Sequence, residues 1–162
     1  MPPHILRDAL RSQVAEQADL IASLLALVAP GREEWRPPWP DSAEGEPPYR
    51  VADLVEHMSL ALAGFCAVLA ALQPERLRHF EELRGEANFD EIRLRVEEGF
   101  AAISDEDLAR VLPTAFEPAG KNALELLLVN LRHLTAHHYQ LFCYAKLLGL
   151  PVSSRNLYRF RG

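Results

Sequence analysis

Three of the chain's six histidines stand together in "NLRHLTAHHYQLFCYAKLLG", residues 130–149, at His133, His137 and His138. The stretch reads as a strongly apolar helix, yet histidine is neither a strong helix former nor a usual core residue. His133 and His137 are four residues apart, so at 3.6 residues per turn both rings share one helix face. An HxxxH pair of this kind is a two-imidazole chelate for a first-row transition metal. His57 sits on another predicted helix beside an apolar stripe, with Ala61 and Gly64 leaving room one and two turns further on. Three neutral imidazoles from two facing helices would leave coordination positions open, which suits a catalytic rather than a structural metal. A single histidine in an apolar helix is also a common hydrogen-bonded core residue, so the metal reading depends on all three rings converging.

The remaining histidines are read differently. His138 is offset about 100° from His137 and should face elsewhere, as a capping or surface residue. His79 lies in a charged segment and His4 at the start of the chain, and neither is given a role. Other site chemistries fit less well. There is no HExxH for a zincin and no Glu-x-x-His pair for a di-iron carboxylate bundle. Cys66 and Cys143 are the two cysteines, neither in a CxxC pair, and both read as buried structural thiols in a reducing compartment. Helix geometry nominates neighbours for the triad. Asn130 and Gln140, three residues before His133 and three after His137, could line the site. Tyr144 should lie deeper on the same face, and Asp53 could orient the free nitrogen of His57.

Positioning such a site calls for long helices. Leu6, Leu10, Val14, Ala18, Ile21, Leu24 and Val28 form one stripe and predict a first helix over residues 5–28. "APGREEWRPPWPDSAEGEPPYR" then interrupts with six prolines and two glycines, and carries both tryptophans, Trp35 and Trp39. Buried aromatics there would pin the loop to the helices. A second helix is expected over residues 49–72, stopped by Pro74, then a short helical segment broken at Gly85. A third is expected over residues 89–103. Ser104, with Asp107 at N3, should cap a short helix to residue 112. The last helix spans residues 122–148 and stops at Gly149 and Pro151. No segment alternates as a strand does.

Bulk properties bound the function. The 162 residues suit a single domain over 1–162, with residues 30–49 as a proline-rich connection and 150–162 as a C-terminal tail. A net charge of -6 argues against nucleic acid or an anionic membrane as partner, although the tail is locally basic at Arg155, Arg159 and Arg161. The early acids and the absence of a long apolar run predict neither a signal peptide nor a membrane span, and a cytoplasmic setting.

"VADLVEHMSLALAGF" followed further on by "NLRHLTAHHYQLFCYAKLLGLP" resembles the DinB superfamily, the DinB/YfiT-like metalloenzymes. The resemblance covers the second and last helices. The long first helix, the proline-rich connection and "SDEDL" agree with the family's layout. It implies an all-α four-helix bundle of up-up-down-down topology with long crossover connections, of which the proline-rich loop would be one. It also implies a divalent metal, nickel or zinc, on His57, His133 and His137, and a homodimer. Family activities include transfer reactions of low-molecular-weight thiols and metal-dependent hydrolysis, so the expected partner is a small-molecule substrate. No counterpart of the extra C-terminal domain of the maleylpyruvate isomerase-type members is expected from these 162 residues. Two other readings remain: a non-catalytic, stress-related binding protein with a structural or vestigial metal site, and a metal-free helical dimerisation module, which requires the histidines to point apart.

Overall fold

The computed structural model describes residues 4–28, 31–73, 89–113 and 121–158. It is all-α: α1 (Ile5–Val28), α2 (Val51–Leu72), α3 (Phe89–Ala101), α4 (Asp105–Leu108) and α5 (Ala123–Leu147), followed by a 3-10 turn at Ser154–Asn156. No strand occurs among the described residues; the one extended pairing is an isolated bridge between Val111 and Asn122. The expected short helix after Pro74, the break at Gly85, His79, Arg159 and Arg161 lie outside the described residues.

The helix ends follow from local chemistry. Asn122 caps α5 by accepting from Glu125 N–H at 2.9 Å. At the other end Gly149 takes φ +71°, where Leu150 N–H reaches Ala145 O and Gly149 N–H reaches Lys146 O, each at 3.0 Å. These two reverse bonds close the last turn, and a side chain at position 149 would be strained. Ser104 accepts from Asp107 N–H at 3.3 Å, and Asp107 accepts from Ser104 N–H at 2.9 Å, a reciprocal box that starts α4. That helix stops four residues short of the expected residue 112. Residues 110–112 turn instead to α5's start, with Ala123 N–H on Arg110 O at 3.0 Å and Leu112 N–H on Lys121 O at 3.3 Å.

α1 and α2 each pack mainly against α3 and α5. Their buried faces meet in one core that includes Ile21, Leu24, Leu54, Phe65, Phe100, Leu127 and Tyr144. Paired contacts set the directions. Arg11 binds Glu97 and Arg93 binds Asp19, each at 2.6 Å, so α1 and α3 run oppositely. Cys66 lies beside Ile92 and Gln73 beside Gly99, so α2 and α3 run the same way. His57 meets His133 while Gly64 meets Asn130, so α2 and α5 run oppositely. The order is therefore up, down, down, up, which corrects the up-up-down-down expectation. The proline-rich loop is not a lengthwise crossover either. Arg32 Nη1 returns to Leu27 O at 3.4 Å and Val51 N–H bonds Trp35 O at 2.8 Å, so α1 ends where α2 begins.

α2 is long and apolar enough by length and composition to cross a membrane, although Asp53, Glu56 and His57 interrupt its apolar residues. Leu54, Met58, Leu62 and Phe65 of this helix are fully buried in the core, which accounts for its hydropathy.

Candidate metal centre

The seam between α2 and α5 brings His57, His133 and His137 together. One ligand nitrogen from each lies within 4.8 Å of the other two. The ring centroids are 5.1 Å apart for His57–His133, 4.4 Å for His57–His137 and 4.7 Å for His133–His137. His57 Nε2 and His133 Nε2 approach to 3.0 Å. Two facing lone pairs at that distance repel unless a proton or a cation lies between them. Nitrogens bound to one first-row metal at about 2.0–2.1 Å stand roughly 3.3 Å apart in a tetrahedral array, so this donor set fits a shared ion. His57 and His137 are half-buried and His133 is exposed, which leaves one side of the cluster open to solvent.

Burial favours the neutral form of two of the donors, His133 and His137. Burial holds His133 below its ordinary value, helped by the proximity of His57. Burial also lowers His137, against the hydrogen bond that it donates to Gln140, with both other rings adding to the depression. A neutral imidazole is the form that binds metal.

Supporting groups surround His137. Its Nδ1 lies 3.0 Å from Gln140 Oε1. Gln140 Nε2 donates to Tyr144 Oη at 3.2 Å, and Tyr144 Oη–H donates to the Tyr49 carbonyl at 2.8 Å. Tyr144 is fully buried, and burial raises its phenol above the ordinary range. Trp35 and Trp39 both bear edge-on against Tyr144, with centroids at 5.4 Å. The proline-rich loop is pinned at this point, with Trp35 half-buried and Trp39 still 40% exposed.

The three histidines converge as their spacing predicts, Gln140 lies against His137, and Tyr144 lies buried one turn beyond Gln140. Asp53 does not orient His57. Its carboxylate accepts from Arg50 Nε at 2.9 Å and Nη2 at 2.6 Å and from Arg50 N–H at 3.1 Å. The Arg50 hydrogen bond is also the main cause that lowers its pKa. Asn130 packs against Gly64, where an added Cβ would stand 3.1 Å from its Oδ1. His138 does face away from the triad, but it is 2% exposed, not a surface residue. Cys66 is buried and its thiol is pushed up to about 12 by desolvation, an inert thiol as expected. Cys143 is only half-buried.

Tyr49 was missed. Its ring stacks on His57 at 5.3 Å and 28°, and its carbonyl ends the hydrogen-bond chain from His137. The available signal was position: an apolar residue just ahead of a helix cap tends to fold back over the first turns.

Comparison with protein families, curated proteins and solved structures returns no match for this chain. The functional reading therefore stands on the geometry above and on the resemblance carried by the sequence.

Proposed function

We propose that the chain is a DinB-like four-helix bundle that holds a divalent metal, nickel or zinc, through His57, His133 and His137, and acts on a small molecule by thiol transfer or hydrolysis. The observation that carries this reading is convergence: three histidine nitrogens from two helices within 4.8 Å, one ring at the surface. A metal bound there would supply a Lewis acid that lowers the pKa of a thiol or of water. The protein's own contribution is to favour the neutral form of His133 and His137 and to fix the orientation of the rings. It also shields one flank with the Tyr49 ring and leaves the His133 side open for a substrate such as a low-molecular-weight thiol. In this reading the protein is a cytoplasmic homodimer.

A second reading is a binding protein that holds metal without turnover. It is favoured by one observation: among the described residues, no carboxylate or thiol joins the three histidines. The metal-free dimerisation module needs histidines that point apart, and these converge. The experiment loads the protein with nickel or zinc and assays thiol addition to an electrophile and hydrolysis of activated esters, beside His57→Ala. Turnover that disappears in the variant supports the enzyme. Stoichiometric metal with no turnover of either kind moves the assignment to the binding protein.

A further inference from the structure

We infer that Gln140 is a positioning residue that fixes the tautomer of His137, and that its own orientation is dictated by the main-chain carbonyl of Tyr49 through the buried Tyr144 hydroxyl. The inference rests on the metal reading for its purpose, but its physical content belongs to the hydrogen-bond chain alone.

A main-chain carbonyl only accepts hydrogen bonds. Tyr144 Oη lies 2.8 Å from Tyr49 O, so the single phenol proton is committed to that contact. Tyr144 is fully buried, and an unmade bond at its hydroxyl would carry the cost of a desolvated polar group. With its proton spent, Tyr144 Oη can only accept from Gln140, 3.2 Å away, so the Gln140 NH2 faces the phenol. The amide oxygen is then turned toward His137 Nδ1 at 3.0 Å, and an amide oxygen only accepts. His137 must carry its proton on Nδ1. Its Nε2 keeps a free lone pair and is the nitrogen left for the cluster. The reverse amide orientation would set the amide oxygen's lone pairs against the phenol's at 3.2 Å or, with the phenol proton turned to the amide, the phenol's against those of the Tyr49 carbonyl at 2.8 Å.

Two further contacts tie this chain to the rest of the site. The residue whose carbonyl sets the direction, Tyr49, also stacks its ring on His57. The two tryptophans that hold the proline-rich loop both bear on Tyr144. The loop that anchors the chain thus helps orient one ligand from α5 and one from α2.

The test combines nitrogen NMR of histidine-labelled, metal-free protein near pH 8 with nickel titration, for wild type, Gln140→Leu, Gln140→Glu and Tyr144→Phe. The expected wild-type spectrum shows His137 as the Nδ1–H tautomer. Gln140→Leu should mix the tautomers and weaken nickel binding about 10- to 100-fold, the range for lost hydrogen-bond partners of metal histidines. Gln140→Glu restores an acceptor at the same place and should recover the Nδ1–H tautomer. Tyr144→Phe frees the amide to rotate and should mix the tautomers without touching the triad. An Nε2–H tautomer in wild type, or a His137 spectrum unchanged in Gln140→Leu, overturns the inference. Failure of wild type to bind nickel at all would instead overturn the metal reading, because the tautomer spectra are read without metal.

Discussion

His137 and His138 are neighbours in sequence and opposites in environment. His138 faces the seam between α1 and α5, where Gln17 Nε2 meets its Nδ1 and its Nε2 lies 2.8 Å from the Asn156 carbonyl. Because that carbonyl can only accept, His138 carries its proton on Nε2 and takes the Gln17 amide proton on Nδ1. Both nitrogens are used, and the ring is buried. His137 faces the seam between α2 and α5, where Gln140 fills one nitrogen and the other points among the rings of His57 and His133. Burial lowers the pKa of both. What separates a structural histidine from a candidate ligand here is therefore not the direction of the pKa shift but whether the protein has used both nitrogens.

The sharpest way to break that comparison is to remove each ring in turn. His137→Ala should reduce metal affinity beyond the roughly 10- to 100-fold attached to an outer hydrogen bond, with helicity unchanged by circular dichroism. His138→Ala should leave metal stoichiometry intact and cost about 2–4 kcal/mol in urea unfolding, from the cavity and the partners left unpaired. Equal loss of metal in both variants would erase the distinction.

Acid should act on both sites with one sign. His133, His137 and His138 all lie below the ordinary value of 6.5 in the folded protein. The unfolded chain therefore takes up their protons first, and the stability they contribute is present above about pH 6.5 and lost as pH falls below it. Metal release should follow the same direction. Tm measured from pH 7.5 to 5 should fall in metal-free protein and fall more steeply in loaded protein. A Tm that rises with acid would contradict the neutral assignment of these rings.

A smaller effect is expected away from both histidines, at the contact of α2 with α3. A Cβ on Gly99 would meet Leu69 Cδ1 at 2.9 Å and its Cβ at 3.0 Å. Gly99→Ala should destabilise by about 1 kcal/mol, the overpacking cost of roughly 1–3 kcal/mol being partly offset by alanine's better helix propensity. Metal binding should not change. Calorimetry beside a nickel titration checks both halves.

Local signals in the sequence carried the helices. The apolar stripe placed α1, and Asn122 with Gly149 placed the ends of α5, because caps and left-handed glycines act within a few residues. The HxxxH pair was legible because helix spacing alone puts two rings on one face. What escaped was set by distant partners. His138 looked like a surface residue because its partners Gln17 and Asn156 are 121 and 18 residues away. Asp53 looked free to serve His57 because nothing in the spacing showed that Arg50 would take its carboxylate. The helix order escaped because it depends on which ends meet, and Arg11–Glu97 or Val51–Trp35 pairings have no signature in either segment alone. Tyr49's double role needed the loop's path, which the prolines predict only as irregular.

The central claim is that His57, His133 and His137 hold one metal ion between α2 and α5. Elemental analysis of protein purified without a histidine tag or chelator, beside His57→Ala, tests it most directly. The account predicts about one equivalent of nickel or zinc per chain in wild type and little in the variant. Wild type that carries no metal, and takes up none when titrated with nickel, zinc, manganese or iron, would contradict it.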